Sequence, residues 1–518
     1  RCPAVRGTRP RLAVFFPPAF SAPTVLPDPR PSDSPIPQSP VPNDPACPAR
    51  QHPGHTVSPC SASRPEPLGS PAPSSARFIR NEKSFIRIRY RPKRITFTFV
   101  KQTQSGTTMK TKPSAIKSLL AAALAASCLA SYAAAPQKRE MKFEKLRKEF
   151  ADPPRAFRPA PLWVWNTRVT RADIDRMLGD FKAQGFGGAF VHPRPGLVTE
   201  YLSDEWFDLY KYSVEKGKEL GLDIWIYDEN SYPSGFAGGH VPAQMPESYD
   251  QGQGLALTKT ALPPADAGKY FLCLKKEGGT FRDITADTGR YKDVPGEYYL
   301  YEKTYYGRSG WHGGYSYVDL LVEGVTEKFL DITMSGYEKT FGNELGPVIR
   351  GLFSDEPCIP SSGGVRWTPD LFEVFRKQWG YDLATSLPLL SEQTGDWKQV
   401  RHNYLETLTQ MFVDRWAKPM SAYCDRKGML WTGHYWEHDW PSMYQGGDNM
   451  AMYAWHQMPA IDMLFNQYND QSPQAQFGNV RAVKELRSAA NQTGCVRTLS
   501  ETYGGGGWDE TFRDFKRL

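Results

Sequence analysis

From Pro161 onward the chain repeats one pattern. A segment of helical periodicity ends on glycine, a short continuous apolar run follows, and polar or aromatic residues collect at the far end of the run. The runs are Leu162 to Asn166, Gly188 to Arg194, Leu222 to Glu229, a fourth ending at Asp355-Glu356, Met429 to Glu437, Ile461 to Tyr468, and a seventh ending at Glu501. Continuous rather than alternating apolar residues predict strands buried on both faces, as in a parallel sheet covered by helices. Helices are predicted at Ala172 to Lys182, Glu205 to Glu219 and Val325 to Phe341, with Gly185, Gly221, Gly346, Gly428 and Gly494 preceding strands. Glycine suits such ends because it reaches left-handed backbone angles without a Cβ clash.

Strand and helix in alternation predict an α/β fold, and a (β/α)8 TIM-barrel-like arrangement fits better than a doubly wound sheet. The first run lacks the glycine-rich phosphate fingerprint of nucleotide folds. A helix expected near Asp509 follows strand seven, and the chain stops at Leu518, so the barrel of residues 161–518 is expected to be truncated after strand seven. Between residues 240 and 324 the repeat gives way to short β-like runs separated by Gly/Pro-rich turns, which predicts a small β-rich insertion after strand three.

Composition divides the chain in two. Residues 1–135 hold 19 Lys/Arg and 5 Asp/Glu, so the remainder holds 44 basic and 51 acidic residues, a net of −7. That part offers no basic patch for nucleic acid. The first 80 positions carry 20 of the 44 prolines, and no methionine precedes Met109. Residues 1–108 therefore read as upstream sequence translated in frame, with a disordered linker as the alternative. From Met109, the lysines at 110, 112 and 117, the apolar run Leu119 to Leu129 and Ala133-Ala134-Ala135 form the pattern of a secretory signal peptide over 109–135. The run is too short for a stable membrane span. The expected location is periplasmic or extracellular, and residues 136–160 are a lead-in segment. The cysteines beyond it, Cys273, Cys358, Cys424 and Cys495, match no zinc spacing and are expected to be unpaired core residues.

Chemistry concentrates at the strand ends, where a barrel places its active groups. Glu356 and Glu501 are the candidate catalytic pair, since two carboxyl groups flanking a bond are the equipment of glycoside hydrolysis. Glu356 is expected to be the general acid and Glu501 the base or nucleophile. Candidate substrate contacts are Trp165, His192, Asp228, Glu229, Asp355, His434, Trp436, Glu437 and Trp508. Asp355 can equally cap a helix, and Asp228 and Glu229 can equally stabilise a turn. On a continuing strand His434 and Glu437 would point to opposite faces, which argues against a metal site there.

Three stretches resemble glycoside hydrolase family 106, the α-L-rhamnosidase-like proteins. They are Tyr227-Asp228-Glu229-Asn230-Ser231-Tyr232-Pro233-Ser234-Gly235-Phe236-Ala237-Gly238-Gly239, Phe353-Ser354-Asp355-Glu356-Pro357 and Ser500-Glu501-Thr502-Tyr503-Gly504. The resemblance runs from about Pro161 to Leu518 and lacks the C-terminal β-sandwich domains of that family. It implies inverting hydrolysis of a rhamnose-containing glycan, with one Glu as acid and another activating water, and a calcium ion near the sugar whose ligands are not assigned. Competing readings are a hydrolase for another sugar, a non-catalytic carbohydrate-binding barrel, and a metal-dependent amidohydrolase. The last needs a His-x-His after strand one, which Trp163-Val164-Trp165-Asn166 lacks.

Overall fold

The computed structural model describes residues 142–264, 267–437, 445–463, 473–502, 504, 510–512 and 516. The segments 1–108 and 109–135, the end of the sixth predicted strand (464–468), and Trp508 lie outside them. After helix α1 (Phe143–Ala151), strand and helix alternate: β1 (Leu162–Trp165), α2 (Arg171–Ala183), β2 (Gly188–Pro193), α3 (Asp204–Leu220) and β3 (Asp223–Tyr227). A short helix α4 (His240–Gln244) leads to β4 (Gly254–Thr260), β5 (Leu272–Glu277), β6 (Thr280–Asp283) and β7 (Tyr298–Thr304). The alternation then resumes with α5 (Val325–Phe341), β8 (Gly351–Ser354), the short β9 (Val365–Arg366), α6 (Leu371–Trp379), α7 (Trp397–Phe412) and α8 (Lys418–Lys427). It ends with β10 (Leu430–Gly433), α9 (Asn449–Tyr453), β11 (Ala460–Met463), α10 (Pro473–Thr493) and β12 (Leu499–Thr502).

Local chemistry explains the helix limits. Thr170 and Asp173 close a reciprocal capping box at the start of α2, and Ser203 caps α3 by accepting from the Trp206 amide. Gly221 ends α3 at φ 70°, a left-handed position that glycine holds without strain.

Two sheets result. One is parallel, in the order β1-β2-β3-β8-β10, with β11 and β12 forming a separate parallel pair. Among the described residues a backbone bond links the two sets: the Met458 amide, just ahead of β11, donates to the Trp431 carbonyl of β10 at 3.1 Å. The fold is thus α/β with parallel strands and covering helices. The other sheet is antiparallel, in the order β6-β5-β7-β4-β9, built from the 254–304 segment with β9 added from the loop after β8. Its strands alternate strictly. Leu272, Leu274, Tyr299 and Tyr301 join the main core, while Cys273, Tyr298 and Leu300 pack on the opposite face with Ile284. Arg366 of β9, buried with Asp319, pairs with it and donates to the carbonyls of Gln253 and Ile359.

The same period of two governs the parallel strands. Trp163, Trp165, Ile224, Ile226, Leu352, Trp431 and Ile461 belong to the large core under the helices. The alternate positions Phe190, Trp225, Tyr227 and Phe353 join Met458 in a second apolar cluster, against which Leu162, Leu430 and Leu499 pack. That cluster therefore draws residues from β1, β2, β3, β8, β10 and β12. Cys273, Cys358 and Cys424 are buried free thiols as expected. Among the described residues no helix is long and apolar enough to cross a membrane.

Close approach of β8 and β10 depends on glycine. A Cβ at Gly433 (φ 128°) would collide with the Ser354 carbonyl, whereas Gly278 (φ 62°), in the β5–β6 turn, has nothing within 4 Å. Gly433→Ala should therefore lose roughly 3 kcal/mol or more of stability, and Gly278→Ala about 1 kcal/mol from backbone strain alone. Denaturant melts of the two variants would separate collision from strain, and equal losses would contradict this packing.

Candidate active site

The polar groups stand two residues beyond the apolar cluster on the same strand faces. His192 follows Phe190, Tyr227 follows Trp225, Asp355 follows Phe353 and Glu501 follows Leu499. Asp462 and Glu501 are direct partners in the β11–β12 register, so their side chains leave the same face. His434, just past β10, packs edge-on against the Phe353 ring, with centroids 5.4 Å apart.

His434 is the hub. Its Nε2 lies 2.8 Å from Glu501 Oε2 and 3.7 Å from Asp355 Oδ1, and its Nδ1 lies 4.0 Å from Glu437 Oε2. Two three-residue groups share it: Asp355, His434 and Glu501, and Glu356, His434 and Asp462, with the ligating atoms of each group within 4.8 Å of one another. The expectation that His434 and Glu437 face opposite ways fails because β10 ends at Gly433. Beyond it the chain is no longer extended in a ladder, and Glu437 curls back beneath the imidazole. The Glu437 Oε1 accepts from the Tyr435 amide at 2.8 Å and the Tyr453 hydroxyl at 2.5 Å.

Glu356 reaches the cluster by breaking the alternation. An extended strand would send it to the helix side with Leu352 and Ser354. Its φ of 44° is a left-handed value that a non-glycine residue adopts at an energetic cost, and such strain gathers at functional sites. The residue is 6 % exposed, and burial followed by the Asp355 charge pushes its pKa up to about 9, against the pull of His434. Burial, then Glu501, raises Asp355 to about 6, while His434 and the Tyr227 hydroxyl, 2.5 Å away, pull it down. Asp462 rises to about 8, chiefly through burial. For His434, burial opposes the charge, but the Glu501 hydrogen bond and the charges of Asp355, Glu501 and Asp462 win and hold the imidazole protonated well above its usual range. The Glu501 side chain is 22 % exposed, against 1 % for His434, so it is the carboxylate of this pair open to water.

Other expected contacts lie elsewhere. Trp165 sits on the helix side of β1, edge-on to Trp163 and Trp206, in the core rather than at the strand-end cluster. Asp228 also faces the helix side, where it accepts from Ser234 at 2.6 Å and Ser354 at 2.5 Å. Glu229 turns into its own loop. It accepts from the amides of Asn230, Gly235, Phe236, Ala237 and Gly238 at 2.5–3.1 Å and is fully buried, so its role is to shape that loop. Trp436 is half-buried against the main core. His192 is buried and stacks on the Tyr227 ring at 3.5 Å, bracing the tyrosine that holds Asp355.

Sequence reasoning missed Tyr227, Asp462 and Arg194. Asp462 stands out as an acid inside the apolar run Ala460-Ile461-Asp462-Met463, the one signal that could have found it. Arg194 Nε is 3.3 Å from His192 Nε2, and its charge lowers Asp355.

No family model matches the chain, and no curated protein does. Among solved structures, it is similar to a rhamnosidase from Novosphingobium sp. PP1Y, with a TM-score of 0.53 and 15% identity; the match covers 72% of this chain and 54% of that one. The chain thus spans about half the length of that neighbour, and at this identity the likeness is one of fold.

The environment of Glu356 makes stability depend on pH. A carboxyl near pKa 9 when folded and about 4.5 when unfolded keeps a proton that the unfolded chain releases, so its presence weakens the fold as pH rises between those values. Relative to wild type, Glu356→Gln should therefore gain thermal stability from pH 5 to pH 8. Parallel melting curves with a constant offset would show that Glu356 is not held this way.

Proposed function

We propose that this chain is the catalytic domain of a glycoside hydrolase, α-L-rhamnosidase-like, that cleaves a terminal sugar from a glycan by acid/base hydrolysis. The observation that carries the reading is the contrast between two carboxyl groups around one imidazole. Glu356 is buried and held protonated into the alkaline range, whereas Glu501 is paired with a protonated His434 and open to water. The fold likeness to a rhamnosidase supports it, as does the single apolar cluster fed by six of the parallel strands, which is how a closed barrel fills its interior. The domain reading is a (β/α) barrel over 161–518 carrying the antiparallel sheet as an insertion, in a protein exported by the signal peptide that starts at Met109.

In this mechanism Glu356 donates its proton to the glycosidic oxygen as the bond to the anomeric carbon breaks. A water held by Glu501 attacks that carbon and passes its proton to the Glu501 carboxylate; Glu501 then releases this proton to solvent as solvent returns one to Glu356. His434 keeps Glu501 oriented and offsets the negative charge of the cluster. Attack from the side opposite the leaving oxygen inverts the anomeric centre, the outcome that the family resemblance implies.

Calcium, also implied by that resemblance, takes oxygen ligands. Both three-residue groups that could hold an ion centre on the His434 imidazole, a mixed nitrogen and oxygen set that suits a transition metal better than calcium. The steps above accordingly rest on the carboxyl groups and His434.

The test is hydrolysis of a rhamnosyl disaccharide and of nitrophenyl rhamnoside. Glu501→Gln should lose about 10³-fold in kcat/KM on both substrates. Glu356→Gln should lose as much on the disaccharide but far less on the nitrophenyl substrate, whose leaving group departs without a proton. Wild-type activity on the disaccharide should fall as pH rises through about 9, where Glu356 loses its proton. Full disaccharide turnover by either variant would overturn its assigned role.

A further inference from the structure

Beside the acid cluster, the 3-10 turn Gly310–His312 docks on the loop that Glu229 shapes. Its Trp311 is 37% exposed, and its indole N–H donates to the Tyr232 carbonyl at 2.6 Å, which fixes the orientation of the ring. The Trp311 and Tyr232 rings meet edge to face at 5.3 Å and 83°. The Arg194 guanidinium lies over both, 5.1 Å from Tyr232 and 5.8 Å from Trp311. Tyr232 also borders the cluster: burial raises its hydroxyl, and the charges of Glu356, Asp355 and Glu501 add to the rise against Arg194.

An exposed tryptophan held by a backbone hydrogen bond, backed by a second ring and clamped by a cation, is a rigid flat surface. Packing alone does not explain it, since the buried neighbours Phe236 and Tyr317 already anchor the turn through His312. We infer that Trp311, Tyr232 and Arg194 form a second sugar subsite, which stacks the pyranose on the far side of the bond to be cleaved. The inference rests on the glycosidase reading of the cluster and extends it: the substrate class is a di- or oligosaccharide rather than a simple alkyl glycoside. Arg194 is a positioning residue here, because its guanidinium packs over both rings and holds them in place. The energy of stacking one ring corresponds to about tenfold in affinity.

Calorimetric titration of the Glu356→Gln protein, which turns the disaccharide over about 10³-fold more slowly than wild type, tests this directly. The probes are free rhamnose and four neutral disaccharides ending in rhamnose, galactose, arabinose or glucose. At least one disaccharide should bind more tightly than rhamnose. Adding Trp311→Ala should weaken that binding about tenfold while changing rhamnose binding by less than twofold, and Trp311→Phe should restore most of the loss. Disaccharide binding that ignores Trp311 would overturn the subsite alone, and no disaccharide binding by the folded protein would overturn both readings. Binding that depends on Trp311, together with wild-type protein that hydrolyses none of the disaccharides, would keep the subsite and remove the acid/base assignment.

Discussion

One protonated imidazole holds this site together. His434 touches or borders Asp355, Glu437, Asp462 and Glu501, and it is common to both three-residue groups of the cluster. Buried carboxylates repel one another and lose hydration, so such a set persists only if some groups keep their protons and others find a cation. Both solutions occur here. Burial and mutual repulsion leave Glu356 and Asp462 with raised pKa values, and the charge that remains collects on the imidazole. The division into a protonated carboxyl group and one paired with the imidazole thus follows from electrostatics that the fold imposes.

The cluster in turn depends on the layer beneath it. Phe190, Trp225, Phe353 and Leu499 fill the space between the strands, and the polar groups extend from the next inward positions. Burial of Phe190, Trp225 and Phe353 is worth roughly 1.5–3 kcal/mol each, and this packing, with the half-buried Leu499, fixes the strand ends to which the acids are attached. Glu356 alone escapes this order through its left-handed backbone. Around the rim, Glu229 gathers five amides and so shapes the loop that carries Tyr232 and receives Trp311. The clustered acids and the aromatic residues beside them therefore have separate structural supports.

Much of this was legible in the chain. The apolar runs located the parallel strands, and Val325–Phe341 forms the helix that its periodicity predicts. The strand-end rule brought Asp355, Glu356, His434 and Glu501 to one place. It failed at Trp165 and Asp228 for a plain reason: the period of two sends them to the helix side, with Trp163 and Ile226, and that parity could have been counted. Other features were beyond counting. The turn after Gly433 that returns Glu437 to His434 and the amide cage of Glu229 are irregular loop conformations with no periodic signature, and the docking of Trp311 on Tyr232 joins segments 79 residues apart.

The most direct measurement is a crystal structure of the Glu356→Gln protein with a rhamnosyl disaccharide bound. The account predicts the glycosidic oxygen within hydrogen-bond reach of the residue 356 side chain, and a water on Glu501 facing the anomeric carbon from the opposite side. A disaccharide lodged away from these two residues, or a residue 356 side chain turned to the helix side with Ser354, would contradict it.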